Sequence, residues 1–299
     1  MFYLFASVLL VAEAVQAAPS VGQFIMAYPF PSKDGTTIMF QANFDGRWQL
    51  YEMKASDGAI RRLHVSERDD THPALSPDGK TLAFISNREG NDDVWVLDLA
   101  SGDARAVTPH PGKDGHPKWS PDGRRLVFNR TFDPSDKGGD QDSAIVQVDV
   151  QGGPVEVISN TARVETFASY SPDGRSVAFV EWFPDHKGIR NRNGEVVAVD
   201  LLTKTRRNLT NSPEFDAYPF WGPSGWIYFS TVFERAPASE AVLSRVKGSG
   251  GAVERIGTLD GKSEMRAIPT ADERMIWFNR MEDGRGMIFR LPLADPAAN

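Results

Sequence analysis

The nonapeptide HPALSPDGK, His72 to Lys80, brings an imidazole, a hydroxyl, a carboxylate and an amine into one short stretch. Those types suit nucleophilic or general acid–base chemistry, in which a base activates a hydroxyl and a third group orients the base. The set returns 44 residues later (116 − 72) as HPKWSPDGR, His116 to Arg124. Recurrence at fixed spacing marks a structural repeat, so Ser76 and Ser120 are explained without catalysis, and no catalytic residue is assigned to the motif.

The elements that would position these residues follow from the remaining copies. YPFPSKDGT begins at Tyr28, FASYSPDGR at Phe167, YPFWGPSGW at Tyr218 and RAIPTADER at Arg266. Each copy is followed by a short apolar segment that ends in phenylalanine, such as Thr81–Phe84 or Ser176–Phe179. A second strand, a Gly-containing turn and a more polar strand come next. Within the motif, proline at the second turn position presets φ and glycine takes the left-handed conformation of a bulged hairpin. Four strands per copy and six copies predict an all-β protein, a six-bladed β-propeller of four-stranded antiparallel blades. The sixth copy runs out before its outer strand, so the ring is expected to be closed by the N-terminal segment, over Ala18 to Phe24.

Composition agrees with a soluble domain of this kind. The 299 residues are 40% hydrophobic and 24% charged, with 26 glycines and 20 prolines for turns. A net charge of −7 argues against a nucleic-acid partner. The absence of cysteine excludes disulfides, thiolate metal sites and thiol nucleophiles. The apolar run Leu4–Ala12 is too short to span a bilayer, and small residues at Val15 and Ala17 fit a cleavage site. Residues 1–17 are therefore expected to be a signal peptide and 18–299 one propeller domain, periplasmic or secreted, with no membrane span in the mature chain.

The pattern Asp-x-His-Pro-x-apolar-Ser-Pro-Asp-Gly-Lys, followed by LAFISNREGNDDVWVLDLASG from Leu82, resembles the repeats of the TolB-type six-bladed propellers. The resemblance covers essentially the whole chain after its N-terminal segment. It implies the propeller and a cell-envelope setting with protein partners; the separate α/β domain that precedes the propeller in TolB itself is not expected here. Related repeats occur in oligogalacturonate lyases, whose metal is held mainly by histidines. They also form the gating domains of prolyl-oligopeptidase-like peptidases, whose chemistry needs a G-x-S-x-G elbow that this sequence lacks.

Propeller connectivity puts the residues just before each nonapeptide on the face that also carries the variable loops between second and third strands. Two residues before the motif stand Met26, Asp70, Asp114, Glu165, Asp216 and Glu264; at its first position stand Tyr28, His72, His116, Phe167, Tyr218 and Arg266. A channel-mouth ring binding a ligand through Asp70, His72, Asp114, His116, Glu165, Asp216, Tyr218, Glu264 and Arg266 is one reading. Carboxylates that cap loops or pair with arginines such as Arg88 within a blade are the other. His72 and His116 are the candidates for a divalent metal ion; His64 and His110 precede the motif and His186 lies in a loop. Asp133, Asp136, Asp140 and Asp142 suit Ca²⁺ or a solvated acidic loop. Trp182, Phe183, Arg190 and Arg192 suit a peptide or glycan contact or a packed loop. The function expected is a binding scaffold for an envelope protein or peptide, without an assigned cofactor. The alternative is a carbohydrate-active enzyme, either a metal-dependent lyase or a glycoside hydrolase. The excess of acid favours a cationic peptide or a metal ion over an anionic polysaccharide.

Overall fold

The computed structural model describes residues 13–14, 24–132, 143–159, 163–183, 193–235, 238–257 and 261–293. Its strands form six four-stranded antiparallel sheets. Blade one is Met26–Pro31, Thr37–Ala42, Gln49–Lys54 and Ile60–Arg62; blade two is Asp70–Leu75, Thr81–Ser86, Asp93–Asp98 and Ala104–Ala106. Blade three is Lys113–Trp119, Arg125–Thr131, Ser143–Asp149 and Glu156–Ser159; blade four is Glu165–Tyr170, Ser176–Phe183, Asn193–Asp200 and Arg206–Asn208. Blade five is Phe215–Trp221, Trp226–Arg235, Ala238–Lys247 and Glu254–Arg255; blade six has Glu264–Pro269, Met275–Glu282 and Arg285–Pro292. The first strands of neighbouring blades touch all the way around, so they line a central channel.

The blades are held by apolar faces on both sides. Each of six buried clusters spans two adjacent blades, including blades six and one, where Trp277 and Ile288 meet Met26 and Phe40. The phenylalanines that end the second-strand motif, Phe40, Phe84, Phe128, Phe179, Phe229 and Phe278, are fully buried. Truncating one to alanine costs about 3–5 kcal/mol, because the sheets cannot collapse into the space left.

Ring closure comes from the N-terminal segment, though from a different part of it than expected. Glu13–Ala14 pairs with Arg290 and Phe289 as the outer strand of blade six. Residues 18–23 lie outside those described. Nearer blade one, Phe24 accepts a hydrogen bond from Gly286 N (3.1 Å), and Ile25 bridges to Gly286. Cleavage after Ala17 would remove the Glu13–Ala14 strand and leave this second contact as the closure.

The Ser-Pro-Asp-Gly segments are the hairpins between first and second strands. In blade two, Ser76 Oγ donates to Asp78 Oδ1 (2.6 Å) and accepts from Thr81 N (3.0 Å), while Gly79 sits at φ 73°. Lys80 N also donates to Asp78 Oδ1 (3.1 Å), and these bonds hold the Asp78 carboxyl below its usual range. The same Ser–Asp bond recurs at Ser32, Ser120 and Ser171, and as Thr270–Asp272 in blade six. Blade five has Gly-Pro-Ser-Gly instead, and Glu273 from blade six replaces the missing carboxylate by accepting from Ser224 N (2.9 Å) and Tyr228 OH (3.1 Å). Gly222 is required by that approach, because a Cβ there would stand 2.4 Å from Glu273 Oε1.

Candidate functional site

Each innermost strand breaks its register once, between Ala27 and Phe30, Thr71 and Ala74, and at the equivalent places in the other four blades. The residue at the break is the first of the nonapeptide. Tyr28, His72, His116, Phe167, Tyr218 and Arg266 all have positive φ, between 54° and 61°. Such backbone costs about 1–2 kcal/mol per non-glycine residue, and no copy relieves it with glycine. These six side chains then interlock across the channel. The Tyr28 and His72 rings lie 4.4 Å apart, His72 and His116 4.1 Å, His116 and Phe167 4.5 Å, and Phe167 and Tyr218 4.4 Å. Arg266 completes the set, its guanidinium 4.1 Å from the Tyr28 ring and 4.4 Å from that of Tyr218. Polar contacts fasten the plug: Tyr28 OH with His116 Nε2 (3.1 Å), Asn129 Oδ1 with His116 Nδ1 (3.1 Å), and Arg266 Nη2 donating to Tyr218 OH (3.1 Å).

The carboxylates two residues earlier do not share this channel space. Asp70, Asp114, Glu165, Asp216 and Glu264 are all buried. Asp70 accepts both its contacts from Arg88 (3.0 Å each), the pairing considered from sequence. Asp114 takes a bidentate contact from Arg130 (2.7 and 2.8 Å), and Glu165 binds Ser159 Oγ (2.8 Å) and Arg206 (3.2 Å). Glu264 lies 3.5 Å from Arg280. Asp216 has Thr231 opposite it rather than arginine and accepts from Thr231 Oγ1 (2.8 Å), leaving Oδ2 buried without a partner. Burial pushes the Asp216 carboxyl up to about 7. Around His116 the same desolvation, with the charge of Lys118, pulls the imidazole down to about 3, and His72 is lowered well below its ordinary value. Both imidazoles are neutral at physiological pH.

Below the plug the channel is open. An inner chamber of about 40 Å³ is lined by Tyr28, His116, Phe167, Tyr218, Arg266 and Lys118. Lys118, Phe220 and Ile268 belong both to it and to a funnel of about 370 Å³ that widens toward the Ser-Pro-Asp-Gly hairpins. Phe30, Leu75, Trp119, Tyr170 and Trp221 are among the apolar residues of the funnel wall. Expectation put the ligand on the opposite face, with the variable loops; this axial cavity opens on the hairpin face. The channel's charge also differs from the acidic mouth expected, because the carboxylates are turned into the blades, four of them against arginines and Asp216 against Thr231. Lys118 and Arg266 are the charged groups lining the inner chamber, and Lys33 stands with Lys118 on the funnel wall. Among the described residues Lys118 Nζ donates only to its neighbour's carbonyl, Pro117 O (3.2 Å), and burial lowers its pKa to about 8.

Lys118 was not singled out from sequence, although a signal exists. The third nonapeptide position reads Phe30, Ala74, Lys118, Ser169, Phe220 and Ile268, a single charge at an otherwise apolar or small position. The loop candidates Asp133, Asp136, Asp140, Asp142, His186, Arg190 and Arg192 lie outside the described residues. Trp182 and Phe183 are packed: Trp182 donates to Thr166 Oγ1 (2.8 Å) and lies 4.5 Å from Phe215, and Arg163 covers Phe183 at 4.3 Å. His64 lies against Arg88 and His110 accepts from Gly112 N, both away from the channel. For the metal candidates, His72 and His116 are adjacent, but their ring neighbours are Tyr28 and Phe167. Among the described residues no group of three His, Asp or Glu stands close enough to hold an ion.

Residues 66–191 match the family model described as the TolB beta propeller domain. That segment carries TolB-type propeller repeats. A crystal structure of TolB from Acinetobacter baumannii superposes with TM-score 0.63 at 21% identity, covering 90% of this chain and 64% of that one. This chain thus spans less than two thirds of that TolB. An oligogalacturonate lyase from Vibrio parahaemolyticus gives TM-score 0.65 at 13% identity, with 97% and 95% coverage. A gluconolactonase from Xanthomonas campestris gives 0.66 at 13% identity, with 91% and 87% coverage. At such identities the likeness is one of fold, and that fold is shared by TolB, a lyase and a gluconolactonase. No curated protein matches the chain. Among the described residues no helix is long and apolar enough to cross a membrane.

Proposed function

We propose that this protein is an exported TolB-type propeller that acts as a binding scaffold in the periplasm or outside the cell, taking a peptide segment of an envelope protein on the propeller axis. The observation that carries the reading is the funnel: a concave, mostly aromatic and apolar cavity of ligand size, floored by an interlocked plug and held by six rigid blades. The N-terminal apolar run with its small-residue cleavage pattern supports export.

The chain has no cysteine, which makes a clean test available. Ala271 is exposed at the funnel lip, and Leu202, 91% exposed, lies in a peripheral turn. Peptides selected from a library against the intact protein are expected to lose binding when Ala271→Cys carries a bulky maleimide, and to keep it when Leu202→Cys does. Binders indifferent to the label at Ala271→Cys would sink the axial reading. A carbohydrate-active enzyme is the second reading, supported by two neutral imidazoles 4.1 Å apart. It requires a His72→Ala, His116→Ala double variant that stays folded and loses turnover of a sugar substrate.

A further inference from the structure

The funnel floor holds an unusual combination. Lys118 is a part-buried ammonium on the channel wall whose one hydrogen bond among the described residues goes to a carbonyl, and none of the carboxylates among those residues pairs with it. Arg266 stands in the same inner chamber, held by Tyr28, Tyr218 and Asn279, with its Nε buried and unpartnered. The imidazoles beside them are neutral. A desolvated ammonium is costly unless an opposite charge meets it. Elsewhere in the protein that rule is kept, since Arg88, Arg130, Arg206 and Arg280 each meet a carboxylate of their own blade.

We infer that the inner chamber is an anion site, and that it takes the side-chain carboxylate of a glutamate in the partner peptide while flanking apolar residues occupy the funnel. This deepens the axial-binding reading and rests on it. Several points of fit support that class of group. The chamber of about 40 Å³ has room for roughly three water-sized positions, which suits a carboxylate and excludes a ring or a larger anion. Lys118 Nζ has donors left after its bond to Pro117 O, and the Arg266 Nε–H adds another. The walls above, from Phe30, Trp119, Phe220 and Trp221, exclude water and strengthen the charge contact. A cationic peptide would bring like charge to the chamber.

Two blocked peptides test this, acetyl-Gly-Phe-Glu-Phe-Gly-amide and its counterpart with Gln for Glu. Tryptophan fluorescence or calorimetry gives affinity, and Tm is followed in parallel. The intact protein is expected to bind the Glu peptide at least ~10-fold more tightly than the Gln peptide, the scale of one charge-assisted contact. Lys118→Met removes the charge at similar length and should level the two affinities while raising Tm, since a part-buried ammonium without a counter-charge is lost. Lys118→Arg should retain the preference. Equal binding of both peptides by the intact protein, abolished by the label at Ala271→Cys, overturns the anion site and leaves the funnel as a docking surface. Glu-peptide binding that the label does not disturb, or no binding of either peptide, overturns the axial reading together with the anion site. A Lys118→Met protein that melts lower and keeps the Glu preference assigns Lys118 to structure and overturns the proposal.

Discussion

Two rings run through the same six repeats, two residues apart, and they solve opposite problems. The carboxylate ring is acidic and hidden: Asp70, Asp114, Glu165 and Glu264 are buried inside their blades, each with an arginine nearby. The channel ring is neutral at both histidines, aromatic, and turned into the axis by a strained bulge in every blade. One ring is held by ion pairs within a blade and the other by ring contacts between blades. The contrast teaches that repetition alone does not mark a binding surface. What distinguishes the functional candidate is a channel cation that meets no carboxylate among the described residues, Lys118.

The sharpest way to break the contrast is to remove one partner of the most buried pair. Arg130 and Asp114 are both almost fully buried and bidentate. Arg130→Ala strands a carboxylate that has only Thr108 left beside it, at a cost of about 3–5 kcal/mol. For a chain of this size that is a fall in Tm of roughly 10 °C. A change of only a degree or two in a thermal melt would mean that the ring is hydrated and that its charge is accessible after all.

The rings are also expected to respond oppositely to pH. Asp216, the one acid of its ring with threonine in place of arginine, holds its proton in the folded state up to about pH 7, whereas the unfolded chain releases it near 3.8. The folded state therefore binds more protons across that window, and its stability falls as pH rises from about 4 to about 7. Asp216→Asn should melt like the parent near pH 4 and higher at pH 8, by at most about 4 kcal/mol. An offset that is the same at both pH values would show that Asp216 is ionised in the fold. For His116 the sign reverses. Its folded pKa of about 3 lies below the ordinary 6.5, so the unfolded state binds more protons and stability is lost as pH falls below 6.5. His116→Phe should remove no more than about 2 kcal/mol of that loss at pH 5. Parallel melting curves for variant and parent between pH 7.5 and 5 would contradict a neutral imidazole.

Much of this architecture was legible in the residues themselves. The spacing of the nonapeptide and the closing phenylalanines gave blade number, strand order and the structural role of Ser76 and Asp78, because turn chemistry and burial are local. The pairing of Asp70 with Arg88 was legible as an alternative, since both belong to one blade. The separation of the two rings was not. Residues two apart in a strand ordinarily share a face, and only the bulge between Thr71 and Ala74, with His72 at φ 54°, sends the first motif residue into the channel. The closing strand at Glu13–Ala14 was missed for a related reason: two residues carry no period, so nothing local distinguishes them. Lys118 is not legible in what the copies share, because its meaning lies in how blade three differs from the rest.

The smallest expected effect gives the finest test of how the channel ring is held. Tyr28→Phe removes the hydroxyl that meets His116 Nε2 and keeps the ring that packs 4.4 Å from His72 and beneath the Arg266 guanidinium. If the plug is held by packing, the loss is that of the hydroxyl's part-buried contacts with His116 and Arg266, about 1–2 kcal/mol. Tyr28→Ala removes the ring as well, opens the axis, and should cost about 3–5 kcal/mol if the space stays empty. Comparing the two melts separates packing from polar fastening. Equal losses would mean that the hydroxyl network, rather than the aromatic contacts, keeps the channel closed.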